Sequence, residues 1–183
     1  MREPSICAQI GQQASNAVAH GRSRECAFCT RLMVLFYERE HAMSMDIVGP
    51  IRESFDLIAP QADELVSVFY QTLFENNPQL RALFPADMTE QKKKLLGAVG
   101  LVVKNVDKLD TIEGALEEMG ARHSTYGALD AHYPVVRDTM LAAMAQVAGG
   151  AWNQTYHDAW EAGLNAVAGI MVRGAHKTKR QAA

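Results

Sequence analysis

From Asp46 onward the apolar residues recur every three or four positions, and no stretch alternates at period two for long enough to make a strand. An α-helix gathers such positions onto one face. A chain patterned this way buries its apolar stripes by packing helix on helix. The expectation is an all-α domain of six to eight helices joined by short loops around one core.

The helices can be followed in order. Ile47, Ile51, Phe55 and Ile58 share a first stripe, with Pro50 tolerable in the opening turn. Pro60 interrupts, and a second helix carries Leu65, Phe69 and Leu73 with Val66 and Tyr70 beside them. Asn77-Pro78 reads as a cap followed by a first-turn proline, opening a short helix that Pro85 ends. Asp87-Met-Thr-Glu90 has capping-box spacing and precedes a long helix lined by Leu95, Val99, Val102 and Val106. Asp110-Thr-Ile-Glu113 repeats that signal before the helix that ends at Tyr126-Gly127. A helix from about Asp130 carries Val136, Met140, Met144 and Val147 up to Gly149-Gly150. The last helix carries Tyr156, Trp160, Leu164, Val167 and Met171, then is expected to dissolve into a basic tail.

The domain boundaries follow. Residues 1–43 lack this periodicity and read as a loosely ordered N-terminal extension. Residues 44–175 are the folded domain, and 176–183 the basic C-terminal tail. A Cys26-x-x-Cys29 pair lies in the extension, but zinc would need two further ligands, and His20 and His41 lack a recognisable spacing. With 183 residues the chain is long enough for a substantial core. A net charge of −3 gives no footprint for nucleic acid. No apolar run is long enough to span a bilayer, and nothing after Arg2 and Glu3 reads as a secretory signal. The three cysteines all fall within the first 29 residues and form no disulfide framework, which fits a cytoplasmic location.

Phosphate-binding Gly-rich loops, a Gly-x-Ser-x-Gly elbow and a His-Glu-x-x-His pair are all missing from the sequence. What stands out is a small set of polar residues on inward faces: Tyr70, Gln91, His123 and Tyr133, each from a different helix. His123 closes the stripe Ile112–Leu116–Met119, so its imidazole is expected to point to the interior. It then either hydrogen-bonds a carbonyl or binds a metal through a neutral nitrogen. Each of the others also has a structural reading. Tyr70 suits a core aromatic with its hydroxyl at the edge, Gln91 a solvated first-turn residue, and Tyr133 a packing residue at a helix start.

These residues sit within a longer series: Phe69-Tyr-Gln-Thr-Leu-Phe74, Leu83-Phe84, Gln91-Lys-Lys-Lys-Leu95, Arg122-His123, Tyr126-Gly127, His132-Tyr-Pro134 and Asp158-Ala-Trp160. Fourteen residues separate Tyr70 from Phe84, 32 separate Gln91 from His123, and ten separate His123 from Tyr133. Over about residues 45 to 172 the series resembles the bacterial single-domain globins and the haem domain of flavohaemoglobins. The resemblance implies a globin fold around haem b (iron protoporphyrin IX), with His123 as the proximal iron ligand. It also implies Phe84 packed on the porphyrin, Tyr70 and Gln91 on the distal side, Leu95 as the apolar wall and Tyr133 on the proximal side. Lys94 and Arg122 are lesser candidates to meet the propionates.

The implied ligands are O2, NO or CO, and the implied function is reversible oxygen binding for transport or storage. The enzymatic alternative is a nitric-oxide dioxygenase or haem peroxidase. A third reading is a globin-type sensor or interaction module. One position departs from the resemblance. Flavohaemoglobins carry a glutamate on the last helix that joins the proximal histidine, and here that position falls at about Ala175. No flavin or nicotinamide domain follows, so electrons for an enzymatic role are expected from a separate reductase.

Overall fold

In a computed structural model, residues 47–181 are described. The extension 1–43, with its cysteine pair, His20 and His41, lies outside them. Among the described residues six α-helices follow in order: α1 (Val48–Ile58), α2 (Ala62–Asn76), α3 (Thr89–Lys104), α4 (Glu113–Thr125), α5 (His132–Ala148) and α6 (Gln154–Gln181). Short 3-10 turns link several of them, and there is no strand among the described residues. The all-α expectation holds.

The main core is built from the expected stripes of α1, α2 and α3, the middle of α5 and the first turns of α6. Ile51, Ile58, Leu65, Phe69, Tyr70, Leu73, Val99, Met140, Met144 and Trp160 are all buried in it. Its deepest polar contact joins α1 to α6. The Trp160 indole Nε1–H donates to Ser54 Oγ at 2.8 Å, and the Ser54 hydroxyl donates to the Pro50 carbonyl at 2.6 Å. A fully buried indole N–H is thus satisfied, as burial requires.

A second cluster holds α4 against α6: Leu116, Ile170 and Met171 at its centre, with Ile112, Met119, Tyr133 and Val167 around it. The two backbones touch there. A β-carbon on Gly120 would lie 1.9 Å from the Met171 carbonyl oxygen, and one on Gly174 would lie 2.0 Å from that of Glu117. Two ion pairs flank the crossing, Arg173 to Glu113 at 2.5 Å and Lys177 to Glu117 at 2.6 Å.

Several local expectations are corrected. Asn77 makes no side-chain cap bond, and residues 78–83 form a 3-10 turn, too short for a full α-helix between two prolines. Asp87 does accept the Thr89 N–H at 2.9 Å, but Glu90 pairs with Lys93, so only half of the capping box forms. Asp110 falls inside a 3-10 turn, and α4 starts at Glu113 without a side-chain cap. Val136 is exposed, and its neighbour Val135 packs on the core. The last helix does not stop before its basic residues but runs on to Gln181, fastened by the Lys177–Glu117 pair and by His176 on Asp130 at 2.8 Å.

Candidate functional site

Gly127 ends the helix that carries His123. Its φ of +89° is a left-handed conformation that glycine adopts without steric cost. The Ala128 N–H reaches back to the His123 carbonyl at 3.0 Å and the Gly127 N–H to that of Ser124 at 3.2 Å. This doubly bonded termination stops α4 within a turn of the histidine.

The His123 imidazole has one fixed partner. Its Nδ1 lies 2.8 Å from the Met119 carbonyl oxygen. A carbonyl only accepts, so Nδ1 carries the proton and donates it. In the neutral ring this leaves the Nε2 lone pair free. The ring is exposed at the end of α4. The inward face of α4 is taken up by Leu116 and Met119 against α6, with Ile112 of the preceding turn beside them, and His123 sits beyond the crossing at Gly120. Around it the chain displays large apolar groups. Tyr126 is 63% exposed and Leu129 56%, and the exposed Leu83 side chain comes up beside Gly127.

A different group gathers at α2 and α3. Tyr70 is 4% exposed, and its hydroxyl oxygen accepts a hydrogen bond from Gln91 Nε2 at 3.2 Å. Because the phenol accepts there, its own proton remains available to donate. Burial pushes the Tyr70 pKa above its ordinary value, and the Gln91 hydrogen bond offsets part of the rise. Rings of Phe69, Phe74 and Phe84 stand 4.9, 5.8 and 5.7 Å from the Tyr70 ring. Leu95 packs half-buried against the same core one turn past Gln91.

The turn that carries Phe84 is pinned by a residue the sequence reading passed over. Arg81 donates to the carbonyls of Phe84, Pro85 and Ala86 at 3.0, 2.9 and 3.2 Å, with its guanidinium 5.3 Å from the centre of the Phe74 ring. The one signal was an arginine in a turn between two prolines, which no periodicity rule detects.

The expected residues therefore fall into two sets. Tyr70, Gln91, Phe84 and Leu95 belong to the α2–α3 side, whereas His123 and Tyr133 belong to the α4–α6 side. Among the described residues no hydrogen bond joins the two sets, although Leu83 at Gly127 brings the Phe84 turn to the end of α4. The Tyr133 hydroxyl makes no hydrogen bond to His123 among the described residues. Burial first, and then the nearby Asp130 charge, raise its pKa. Ala175 is buried in the α4–α6 interface, and the next residue, His176, reaches Asp130. Lys94 and Arg122 are exposed, and Arg122 lies 3.7 Å from Glu118.

Fold and site together define a helical domain that offers a free imidazole nitrogen at one helix end and a buried phenol bonded to a half-buried amide on two others. Residues 67–171 match the globin family profile, and the chain belongs to the globin family. It is 26% identical over 135 residues to a flavohemoprotein of Vibrio cholerae, covering 71% of this chain and 34% of that one. It thus spans about a third of the length of that relative. A bacterial globin from Campylobacter jejuni superposes with a TM-score of 0.67 at 20% identity, covering 74% of this chain and 99% of that one. An engineered carbene transferase derived from a putative nitric oxide dioxygenase of Rhodothermus marinus does so at 0.67 and 21%, covering 74% and 94%. At these identities the structural likenesses are likenesses of fold.

Proposed function

We propose that this globin binds haem b with His123 Nε2 as the axial ligand and holds a diatomic gas, oxygen foremost, reversibly beside Tyr70 and Gln91. The observation that carries the reading is the hydrogen bond from His123 Nδ1 to the Met119 carbonyl. It fixes the tautomer that a metal ligand needs and orients the ring. The residues present fit the group: an imidazole with a free nitrogen stands among exposed Tyr126, Leu129 and Leu83, apolar surface of the kind a flat macrocycle covers. When bound, the haem iron supplies the atom at which the diatomic is held.

The protein's part is done by side chains. Tyr70 keeps its proton because burial disfavours the phenolate, so it can donate to the ligand. Gln91 donates to the Tyr70 oxygen and thereby orients it. Phe69, Phe74 and Phe84 keep water from that donor. A hydrogen bond in such a dry site is worth about 1–3 kcal/mol, which slows ligand loss roughly five- to 150-fold.

A second reading, nitric-oxide dioxygenation with an external reductase, draws on the relatives named above. The proximal side argues for the carrier instead. The Nδ1 proton of His123 goes to a carbonyl, and Ala175 occupies the place where flavohaemoglobins are expected to have a carboxylate. A neutral partner leaves the imidazole a weaker electron donor than an anionic one does. Mixing the oxygen-loaded protein with nitric oxide in a stopped-flow instrument separates the two. A single stoichiometric event, with no turnover when a reductase is added, is expected; sustained nitrate production would overturn the carrier reading.

A further inference from the structure

The start of α6 reads Gln154-Thr-Tyr-His157-Asp158-Ala-Trp160-Glu161. Trp160 is buried and fixes which face meets the core. At about 100° per residue, His157, Glu161 and Asp158 follow it at about 60°, 100° and 160° around the helix. They form one flank, with His157 and Glu161 next to the core and Asp158 outermost. Their burial agrees: the first two are half-buried and Asp158 is exposed. One ligand atom from each lies within 4.8 Å of the others.

That flank borders a cavity. A hollow of about 280 Å³ between α5 and α6 is lined by His157 and Glu161 on one side and by Asp138, Leu141, Ala142 and Ala145 on the other. Small Ala142 and Ala145 leave the space, and Asp138 brings a carboxylate to it from the second helix. Two of the polar groups, His157 and Glu161, are only loosely engaged. The described contact of His157 Nδ1 is with its own neighbour Asp158, at 3.4 Å. Glu161 meets Arg137 at 3.9 Å, longer than a hydrogen bond. Asp158 accepts from Gln154 at 2.6 Å through one oxygen, and Asp138 pairs with Arg137 at 2.7 Å. Asp138 and Glu161 share the one guanidinium of Arg137, and Asp158 adds a further carboxylate on the outer side of the His157 flank.

We propose that this groove binds a divalent transition-metal ion of the zinc class, with His157 and Glu161 as its principal ligands and Asp158 or Asp138 completing the set. An imidazole among carboxylates selects zinc, cobalt or nickel over magnesium and calcium, which take oxygen ligands. Ligand atoms about 2.0–2.2 Å from zinc must draw closer together than 4.8 Å. Three of the four candidates lie on one helix, so side-chain rotation supplies that movement without a backbone change. The site is distinct from His123, since Glu161 lies about 20 Å along α6 from the crossing at Gly174.

Titrating Zn2+ into the chelator-treated, haem-loaded full chain by calorimetry tests this. One equivalent is expected to bind. His157→Ala and Glu161→Gln are each expected to weaken it by at least about tenfold, the smallest effect typical of losing even an outer partner of a metal ligand. His157→Gln, which keeps a helix-compatible side chain, should behave like His157→Ala, with visible spectra and thermal melts as for the unsubstituted chain. Replacing Cys26 and Cys29 by serine should leave the affinity unchanged. Absence of stoichiometric uptake, or uptake unaltered in both the His157 and Glu161 variants, would overturn the proposal, as would loss of binding in the cysteine variant alone.

Discussion

The Tyr70 hydroxyl accepts a hydrogen bond from the Gln91 side-chain amide at 3.2 Å, joining α2 to α3 across 21 residues of sequence. The bond has a direction, and the direction matters. The amide spends a proton on the phenol, and the phenol keeps its own for a ligand. Tyr70→Phe removes the donor outright, so ligand dissociation measured by flash photolysis should accelerate by roughly five- to 150-fold. Gln91→Leu should have a smaller effect in the same direction. The double variant should lose less than the sum of the two, because the residues act through one contact.

The second prediction concerns the α4–α6 crossing. Gly120→Ala and Gly174→Ala would each drive a methyl group into the facing backbone at 1.9 and 2.0 Å. Backbone cannot rotate away as a side chain can, so the cost should reach or exceed the upper end of the about 1–3 kcal/mol usual for overpacking. Gly97→Ala, with nothing within 4 Å of the added carbon, is the control and should be neutral or slightly stabilising. Thermal melting of the three variants measures this.

Ser54→Ala tests the buried link between α1 and α6. It leaves the Trp160 indole N–H without its 2.8 Å acceptor, at a cost of about 1–3 kcal/mol by urea denaturation. Trp160→Phe removes the donor along with the indole, so the double variant should lose less than the sum of the two single changes, the remainder being the cavity left by the smaller ring.

Alkaline pH should destabilise the fold. Burial raises the Tyr70 pKa, and burial with the Asp130 charge raises that of Tyr133. A folded-state pKa above the unfolded one means that stability is fully present below the ordinary tyrosine value near 10 and is lost as pH rises through the folded value. Urea midpoints should therefore fall above about pH 10, and fall less in Tyr70→Phe, which has no proton to lose.

Much of this was legible in the sequence because helix periodicity reports burial directly. The stripes through Leu65, Phe69 and Leu73, and through Val99 and Val102, lie in the interior as their spacing requires. The Tyr70–Gln91 contact was foreseeable too, since both lie on inward faces. Where α6 stops covering the α4 face, just short of His123, was not legible, because spacing gives the face a residue shares but not how far along the helix the neighbouring element covers it. The Gly120–Gly174 contact and the grip of Arg81 on the Phe84 turn depend on how separate elements meet in space. The cap at Asp110 failed because the 3-10 turn runs on into α4 and a backbone carbonyl, that of Asp110, takes the Glu113 N–H; after Asn77, Pro78 has no N–H to cap.

Whether His123 Nε2 serves as the axial ligand is read most directly by removing the side chain and supplying its ring from solution. Purified His123→Gly is mixed with hemin, reduced, and followed by visible absorption with and without added imidazole. A strong Soret band is expected in the parent chain, with its loss or marked weakening in the variant and its recovery when imidazole is added. A His123→Gly protein whose spectrum matched the parent chain without imidazole, or a parent chain that stayed colourless with hemin, would contradict axial ligation by His123.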